Sequence, residues 1–551
     1  MSVLPSRRSV LIALARCVAL SAGAALVLGC GARADREFPR EKARPGALAA
    51  GGPEKKATEP SMPPVAVAPP AALRAPGPPG PVLNPELHRL RRAAQARVLG
   101  RQCPPGPRAF PYAPLEPVSR PVGRGALIAT ERAAGARSMR APSAGEPREK
   151  REPPPLGRFV PIEPDSTLDH FHQALAHLAA GKGGDDKVRI LAYGASHTQA
   201  DTYTGYLRTY LQGRFGDGGQ GFVLLGRVNK WYRTLDTRAR HETLTIRRTR
   251  YEASPQDEPL GLFGAALVGT SGYGEIVTSK DSTSTRFEVQ YFAEPQGGDF
   301  DVLVDGQVVA AVKTKARTPG PAYRTFEASP GRHEIRARLT GNGPVRLFGI
   351  TAETAGRGVV VDTLGIGGAR MESHLHWRED AWIDAVRHRH PDLVTFAYGT
   401  NEATGSRASI EVYERQIRAI VGRLRKAAPL ASCVFISPFD LPAQKDGHWM
   451  HRPRLVQIVE AQRRISRELG CGFWDGYAFM GGKGSMVRWA SAEPPLAAED
   501  HIHLTRQGYV YAGIAIGDAL MRGYDLEEAH PADAVAPPPP PPAPGAPPPA
   551  H

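Results

Sequence analysis

Cysteine is scarce in this chain, with five in 551 residues, at positions 17, 30, 103, 433 and 471. None falls in the close Cys/His pairs that hold zinc, which argues against a structural metal. A recognisable nucleic-acid-binding module is also missing, so the net charge of +15 is not read as a signal for nucleic acid. Residues 31–155 lack apolar periodicity and are rich in Pro, Ala, Gly and Arg. That composition excludes a buried core and reads as a disordered tether, within which Pro85–Leu99 can form a short basic helix. Basic residues outnumber acidic ones there, so much of the charge lies outside the folded part. A basic tether suits an anionic wall or membrane surface, and equally plain solvated disorder. Residues 526–551 form a Pro-rich, polyproline-like tail without structure of its own.

The apolar run within residues 1–30 follows Arg7 and Arg8 and ends in small residues before Cys30. This is the layout of an export signal rather than of a transmembrane anchor. Val27-Leu28-Gly29-Cys30 resembles the bacterial lipobox. The resemblance implies that Cys30 becomes a lipidated N-terminus and ties the chain to a membrane. Gly31 rather than Asp after it favours the outer membrane, by resemblance to Gram-negative lipoproteins. Cys17 would leave with the signal, and Cys103 lies in the tether. Cys433 and Cys471 lie in the folded part and either pair or stay as buried thiols.

From 156 the chain alternates short apolar strands with amphipathic helices. Val188–Tyr193, Val359–Leu364, Leu393–Tyr398, Cys433–Ser437 and Phe473–Trp474 read as strands. Asp165 or Ser166 can cap a helix carrying Leu168, Phe171, Leu175 and Leu178. Further helices are expected through Tyr203–Tyr210, Ala381–Arg389, Ile410–Ala427, Arg454–Leu469 and Thr505–Met521. Such alternation predicts an α/β domain with a flavodoxin-like parallel sheet and helices on both faces, built from 156–235 and 357–525. Residues 236–356 break the rhythm with period-two alternation and hairpin signals, above all Asp305-Gly306 between Val302–Val304 and Val308–Val312. They predict an inserted antiparallel β-sandwich. It is either a spacer or lid, or a carbohydrate-binding module with Tyr291, Phe292 or Tyr323 as sugar platforms.

Four short islands carry the candidate chemistry: YGASHT at 193–198, GIGGA at 365–369, YGTNEA at 398–403 and DHIH at 500–503. Ligand sites in parallel sheets form at the carboxyl ends of strands, where Ser196 and Asn401 fall. Ser196 can act as a nucleophile, His503 as its base, and Asp500 as the carboxylate that fixes the His503 tautomer. The backbone N–H groups of Ser196 and Gly368 and the side-chain amide of Asn401 are three donors for an oxyanion. Taken singly, each island is an ordinary turn or helix cap; their joint order is what points to acyl transfer. His501 sits on the wrong alternation to be the base.

In this order the islands resemble the SGNH, or GDSL-type, hydrolases over roughly 250 residues outside the insertion. The resemblance implies Ser196 as nucleophile, Gly368 and Asn401 as oxyanion donors, and Asp500 and His503 as the rest of the triad. G-x-S-H-T, Y-G-T-N-E-A and the position of the insertion look like the peptidoglycan O-acetylesterase branch. That branch implies a carbohydrate-binding-like insertion, an acetylated polysaccharide substrate and no metal or organic cofactor. Ala195 departs from the family, which usually has Asp before the Ser; His197, Thr198, Asp201 or Glu402 are candidates for the missing hydrogen bonds. Two other functions fit the same residues. One is a polysaccharide O-acetyltransferase, which the absence of a fused multi-span acyl-exporting domain disfavours. The other is a non-catalytic wall-binding lipoprotein, which only Ala195 favours.

Overall fold

A computed structural model describes residues 85–100, 157–182, 186–249, 257–406 and 408–529. The readings for the signal, Cys17, Cys30, Cys103 and the Pro-rich tail from 530 onward fall outside these residues. The hydrolase-like part is built on six strands: β1 (Ile162–Glu163), β2 (Lys187–Gly194), β3 (Gly358–Gly365), β4 (Leu393–Ala397), β5 (Ser432–Ile436) and β6 (Gly472–Trp474). Their spatial order is β1-β6-β5-β4-β2-β3, parallel except for the short antiparallel edge strand β1. Leaving that edge aside, the order is the flavodoxin-like one, with the chain stepping from β2 to one neighbour, β3, and then to the other, β4. Strands β2 and β3 are almost wholly buried, as near-continuous apolar runs require when helices cover both faces.

Eight helices are named here: α1 (Pro85–Leu99), α2 (Asp169–Ala179), α3 (Tyr203–Phe215), α4 (Glu379–Arg389), α5 (Thr400–Gly405), α6 (Ile410–Ala427), α7 (Pro453–Glu468) and α8 (Arg506–Ala529). In α6, Ser409 Oγ accepts from the Val412 N–H and caps the first turn. Tyr413, Ile417, Ile420, Val421 and Leu424 then bury one face against the sheet. Asp165 does not cap a helix as the sequence suggests; a 3₁₀ turn at Asp165–Leu168 precedes α2, and the carboxylate instead pairs with Arg522 of α8. Helix α8 runs to Ala529, past the expected helix end at Met521 and the expected domain limit at 525.

The expected tether is interrupted. Helix α1 packs on α3 and α8, with Ala94, Gln95 and Val98 buried. Arg91 reaches the buried Asp518 carboxylate at 2.7 Å, and Arg97 reaches Asp236 at 2.9 Å. An apolar face this narrow does not stand out in a basic segment, which is why composition alone assigns it to the tether.

The insertion forms two antiparallel sheets. One has the order Gln307–Lys313, Asp299–Val304, Glu334–Leu339, Tyr273–Thr278 and Thr237–Glu242. The other has Gly320–Glu327, Arg286–Ala293, Val345–Glu353, Ala265–Gly269 and Thr245–Arg248. Gly219–Val223 also pairs with Val345–Glu353, so the antiparallel part begins well before 236. The turn at Asp305-Gly306 has φ of 50° and 83°, the positive values this two-residue hairpin demands. None of the three aromatics put forward as sugar platforms is free for that role. Tyr291 and Phe292 are buried against Phe300 and Phe348. Tyr323 stacks on His388 of α4, ring centroids 3.6 Å apart, and donates to Asp384 at 2.7 Å. It is part of the joint between the sandwich and α4. Cys433 and Cys471 form a disulfide, the first of the two alternatives open in the sequence, which links β5 to the entry of β6.

Candidate active site

Strand register brings the islands together. Gly194 at the end of β2 is level with Gly365 at the end of β3 and with Ala397 at the end of β4. The three segments that follow, carrying Ser196, Gly368 and Asn401, therefore leave the sheet at the same height. The fourth island reaches the same place from the loop before α8.

Ser196 Oγ lies 2.9 Å from His503 Nε2. His503 Nδ1 lies 2.7 Å from Asp500 Oδ2. The other carboxylate oxygen of Asp500 accepts from the backbone N–H groups of Ile502 and His503, both at 2.9 Å. This Asx-type turn, with His501 in the left-handed region at φ 53°, is what lets a carboxylate three residues away fold back onto the ring. Burial pushes the Asp500 carboxyl upward. Its hydrogen bonds from the His503 ring and from the two N–H groups outweigh that, and the net position is below the usual carboxylate range. Asp500 thus stays ionised, with one lone pair directed at His503 Nδ1–H. His501 turns away: its Nδ1 lies 2.7 Å from the Glu499 carbonyl oxygen, and its ring packs on Trp449.

Gly368 adopts φ 82°, a left-handed conformation that a side chain would strain. Asn401 sits in the first turn of α5, and its amide donates to the Ala369 carbonyl at 2.8 Å. One amide hydrogen is used in this way and the second is left for an incoming oxygen. The helix after Ser196 starts where the sequence places it, at Tyr203, seven residues beyond the nucleophile. A run of turns fills 195–202 and α3 begins at Tyr203, so a helix N-terminus does not act directly at Ser196. The Ala195 carbonyl instead accepts from the Thr198 and Gln199 N–H groups, both at 3.2 Å, and closes the turn.

Each residue considered as a substitute for the usual Asp before Ser196 has a definite place. Glu402, buried, accepts from the Met371 N–H at 2.7 Å and the Gly399 N–H at 2.9 Å, tying the Gly368 loop to the Asn401 loop. Asp201 accepts from Thr363 of β3, from the Leu235 N–H and from Arg208, anchoring the nucleophile turn to the sheet. Thr198 Oγ1 bonds the Tyr203 hydroxyl. His197 Nδ1 lies 2.9 Å from the Tyr509 hydroxyl, and its ring centroid is 5.4 Å from that of His503. Burial, reinforced by the adjacent His503, pulls its pKa down to about 3, so it stays neutral beside the base. Gln199 was not singled out by sequence, yet its Oε1 accepts from the Gly367 N–H at 3.1 Å and from Asn229 Nδ2 at 3.0 Å. It ties the nucleophile turn to the glycine loop and to a loop leading into the sandwich.

Comparison with known proteins agrees with this geometry. Residues 337–511 match the GDSL-like lipase/acylhydrolase family. A solved peptidoglycan O-acetylesterase, caught in action, is similar over 65% of this chain and 96% of its own, with 26% identity and a TM-score of 0.54. An acetylxylan esterase from Geobacillus stearothermophilus (19% identity, 30% of this chain and 73% of its own, TM-score 0.23) and a family two carbohydrate esterase from Cellvibrio japonicus (12%, 53% and 97%, TM-score 0.21) superpose too poorly to bear on this chain. No curated protein matches it.

Proposed function

We propose that this chain, residues 337–511 of which match the GDSL-like lipase/acylhydrolase family, is an SGNH-type esterase that removes O-acetyl groups from an acetylated cell-wall polysaccharide, peptidoglycan before others. The observation that carries the reading is the 2.9 Å contact of Ser196 Oγ with His503 Nε2, held from behind by Asp500. In this reading His503 takes the Ser196 proton as Oγ attacks the acetyl carbonyl. The resulting oxyanion is held by the Ser196 and Gly368 N–H groups and the Asn401 amide. Protonated His503 then gives its proton to the leaving sugar oxygen, and an acetyl ester remains on Ser196. Water, deprotonated by His503, attacks that ester and releases acetate. The likeness to a peptidoglycan O-acetylesterase over nearly all of that protein supports the substrate choice.

We place the enzyme in the cell envelope, lipid-anchored through Cys30 and facing the periplasm or cell surface from the outer membrane. The Cys433–Cys471 disulfide supports an oxidising compartment.

Acetate release by the full chain from O-acetylated peptidoglycan, with acetylated xylan in parallel and Ser196→Ala as control, tests the reading. Release that ends in the variant and is faster on peptidoglycan is expected. Faster release from xylan would reassign the polymer. Acetyl transfer to added glycan without net acetate would instead make the protein a transferase.

A further inference from the structure

Of the six tryptophans in the chain, four are buried: Trp377, Trp382, Trp474 and Trp489. The other two, Trp231 and Trp449, are 57% and 39% exposed, and both stand on short segments fastened to the active-site loops. Trp449 lies on the hairpin formed by Ala443–Lys445 and His448–Met450. Its ring packs on His501 with centroids 4.1 Å apart, two residues from the base His503. Trp231 sits in a turn closed by Asn229, whose Oδ1 accepts from the Trp231 and Tyr232 N–H groups at 2.8 and 3.1 Å. The Asn229 amide in turn donates to Gln199 Oε1, which also accepts from the Gly367 N–H beside Gly368. The Lys230 ammonium lies 5.0 Å from the Trp231 ring centroid. One indole thus packs beside the base, and the other stands on a turn fastened to the oxyanion side.

We propose that Trp231 and Trp449 are stacking platforms that hold the sugar rings of a glycan chain on either side of the residue whose acetyl ester is cleaved. A lone surface aromatic needs no explanation. Two that carry hydrogen-bonded or stacked connections to opposite sides of one site do. A glycan is the occupant that fits. Pyranose rings offer C–H faces to an indole while their hydroxyls stay in water, which suits two separate rings, one connected to the His503 side of the site and one to the Gly368 side. An acyl chain would instead want a continuous apolar trough. The inference rests on the esterase reading and deepens it by naming what selects a polymer over a small ester.

Kinetics of the full chain with O-acetylated peptidoglycan and with an aryl acetate provide the test, for Trp231→Ala, Trp449→Ala and the corresponding Phe variants. Each Ala variant is expected to raise KM on the polymer about tenfold more than on the aryl acetate, with Phe recovering most of the loss. Equal effects on the two esters, no effect on the polymer, or Phe no better than Ala would overturn the platforms. Acrylamide quenching of tryptophan fluorescence gives a readout without turnover, because the buried four contribute little to it. In the Ser196→Ala chain, chitohexaose or xylohexaose should shield the quenched fraction; shielding by neither contradicts the proposal. A chain inert on both esters that is still shielded by oligosaccharide would remove the esterase reading and leave the platforms standing.

Discussion

Asp500 meets His503 twice, through its ring and through its backbone. Asn in its place keeps the shape but offers the ring an amide that can hold the wrong tautomer. Asp500 is partly exposed, so water can replace some of the lost interaction. We expect Asp500→Asn to lower kcat by on the order of 10²–10³-fold, measured on an aryl acetate. Asn401→Ala removes one oxyanion donor and should lower kcat by roughly 10²–10³-fold with a much smaller change in KM. The five residues of the site were legible in the sequence because each is a small or polar residue directly after an apolar strand or in D-x-x-H spacing. Gln199 and Asn229 were not legible, since an isolated amide in a turn is indistinguishable from any other solvated loop residue. Glu402 was legible only as a candidate, because nothing in YGTNEA says that its carboxylate bridges Gly399 and Met371.

At the scale of elements, the joint between the sandwich and the hydrolase sheet is electrostatic as well as apolar. Glu353, at the end of a sandwich strand, pairs with Arg189 of β2 at 3.2 Å and with Arg389 of α4, which also holds Asp362 of β3 at 2.6 Å. Burial acts to raise the Glu353 pKa, but the Arg389 and Arg189 guanidiniums prevail and bring it from 4.5 down to about 2. Because the folded value lies below the unfolded one, this stabilisation is complete above pH 4.5 and is lost as pH falls toward 2. Glu353→Gln should cost about 3 kcal/mol at neutral pH by removing the buried carboxylate that Arg189 and Arg389 share. It should also flatten the acid limb of a stability curve taken by urea unfolding across about pH 2 to 7. Retention of the wild-type acid limb in the variant would place the pH dependence elsewhere. Hairpins of the sandwich were readable from their alternation and Asp-Gly turn. Gly219–Val223 was not, because a short apolar strand reads alike in a parallel and an antiparallel sheet, and only its pairing with Val345–Glu353 decides. A second Asp-Gly, at 446–447, makes the hairpin of Trp449 with strands of only three residues, too short for periodicity to register.

On the scale of the whole molecule, the segment that composition assigned to a tether supplies part of the folded body. Deleting Pro85–Leu99 would uncover α3 and α8 and leave Asp518 buried without Arg91. Arg91→Ala alone is expected to cost roughly 3 kcal/mol, because it removes the guanidinium that pairs with a buried carboxylate. Thermal unfolding of the two variants checks this, with the deletion at least as destabilising as the point change. Wild-type melting of the deletion would show that α1 is only laid on the surface. A fragment beginning at 156, the boundary suggested by sequence, would lack this helix.

Active-site titration bears most directly on the central claim that Ser196 forms an acetyl ester with His503 as its base. The full chain is mixed with an excess of aryl acetate, the released phenol is followed from the first turnover, and peptides are mapped after an acid quench. The account predicts a stoichiometric burst, acetyl on the peptide that carries Ser196, and loss of both in Ser196→Ala and of the burst in His503→Ala. A burst that survives Ser196→Ala, or acetyl found on another side chain, would contradict it.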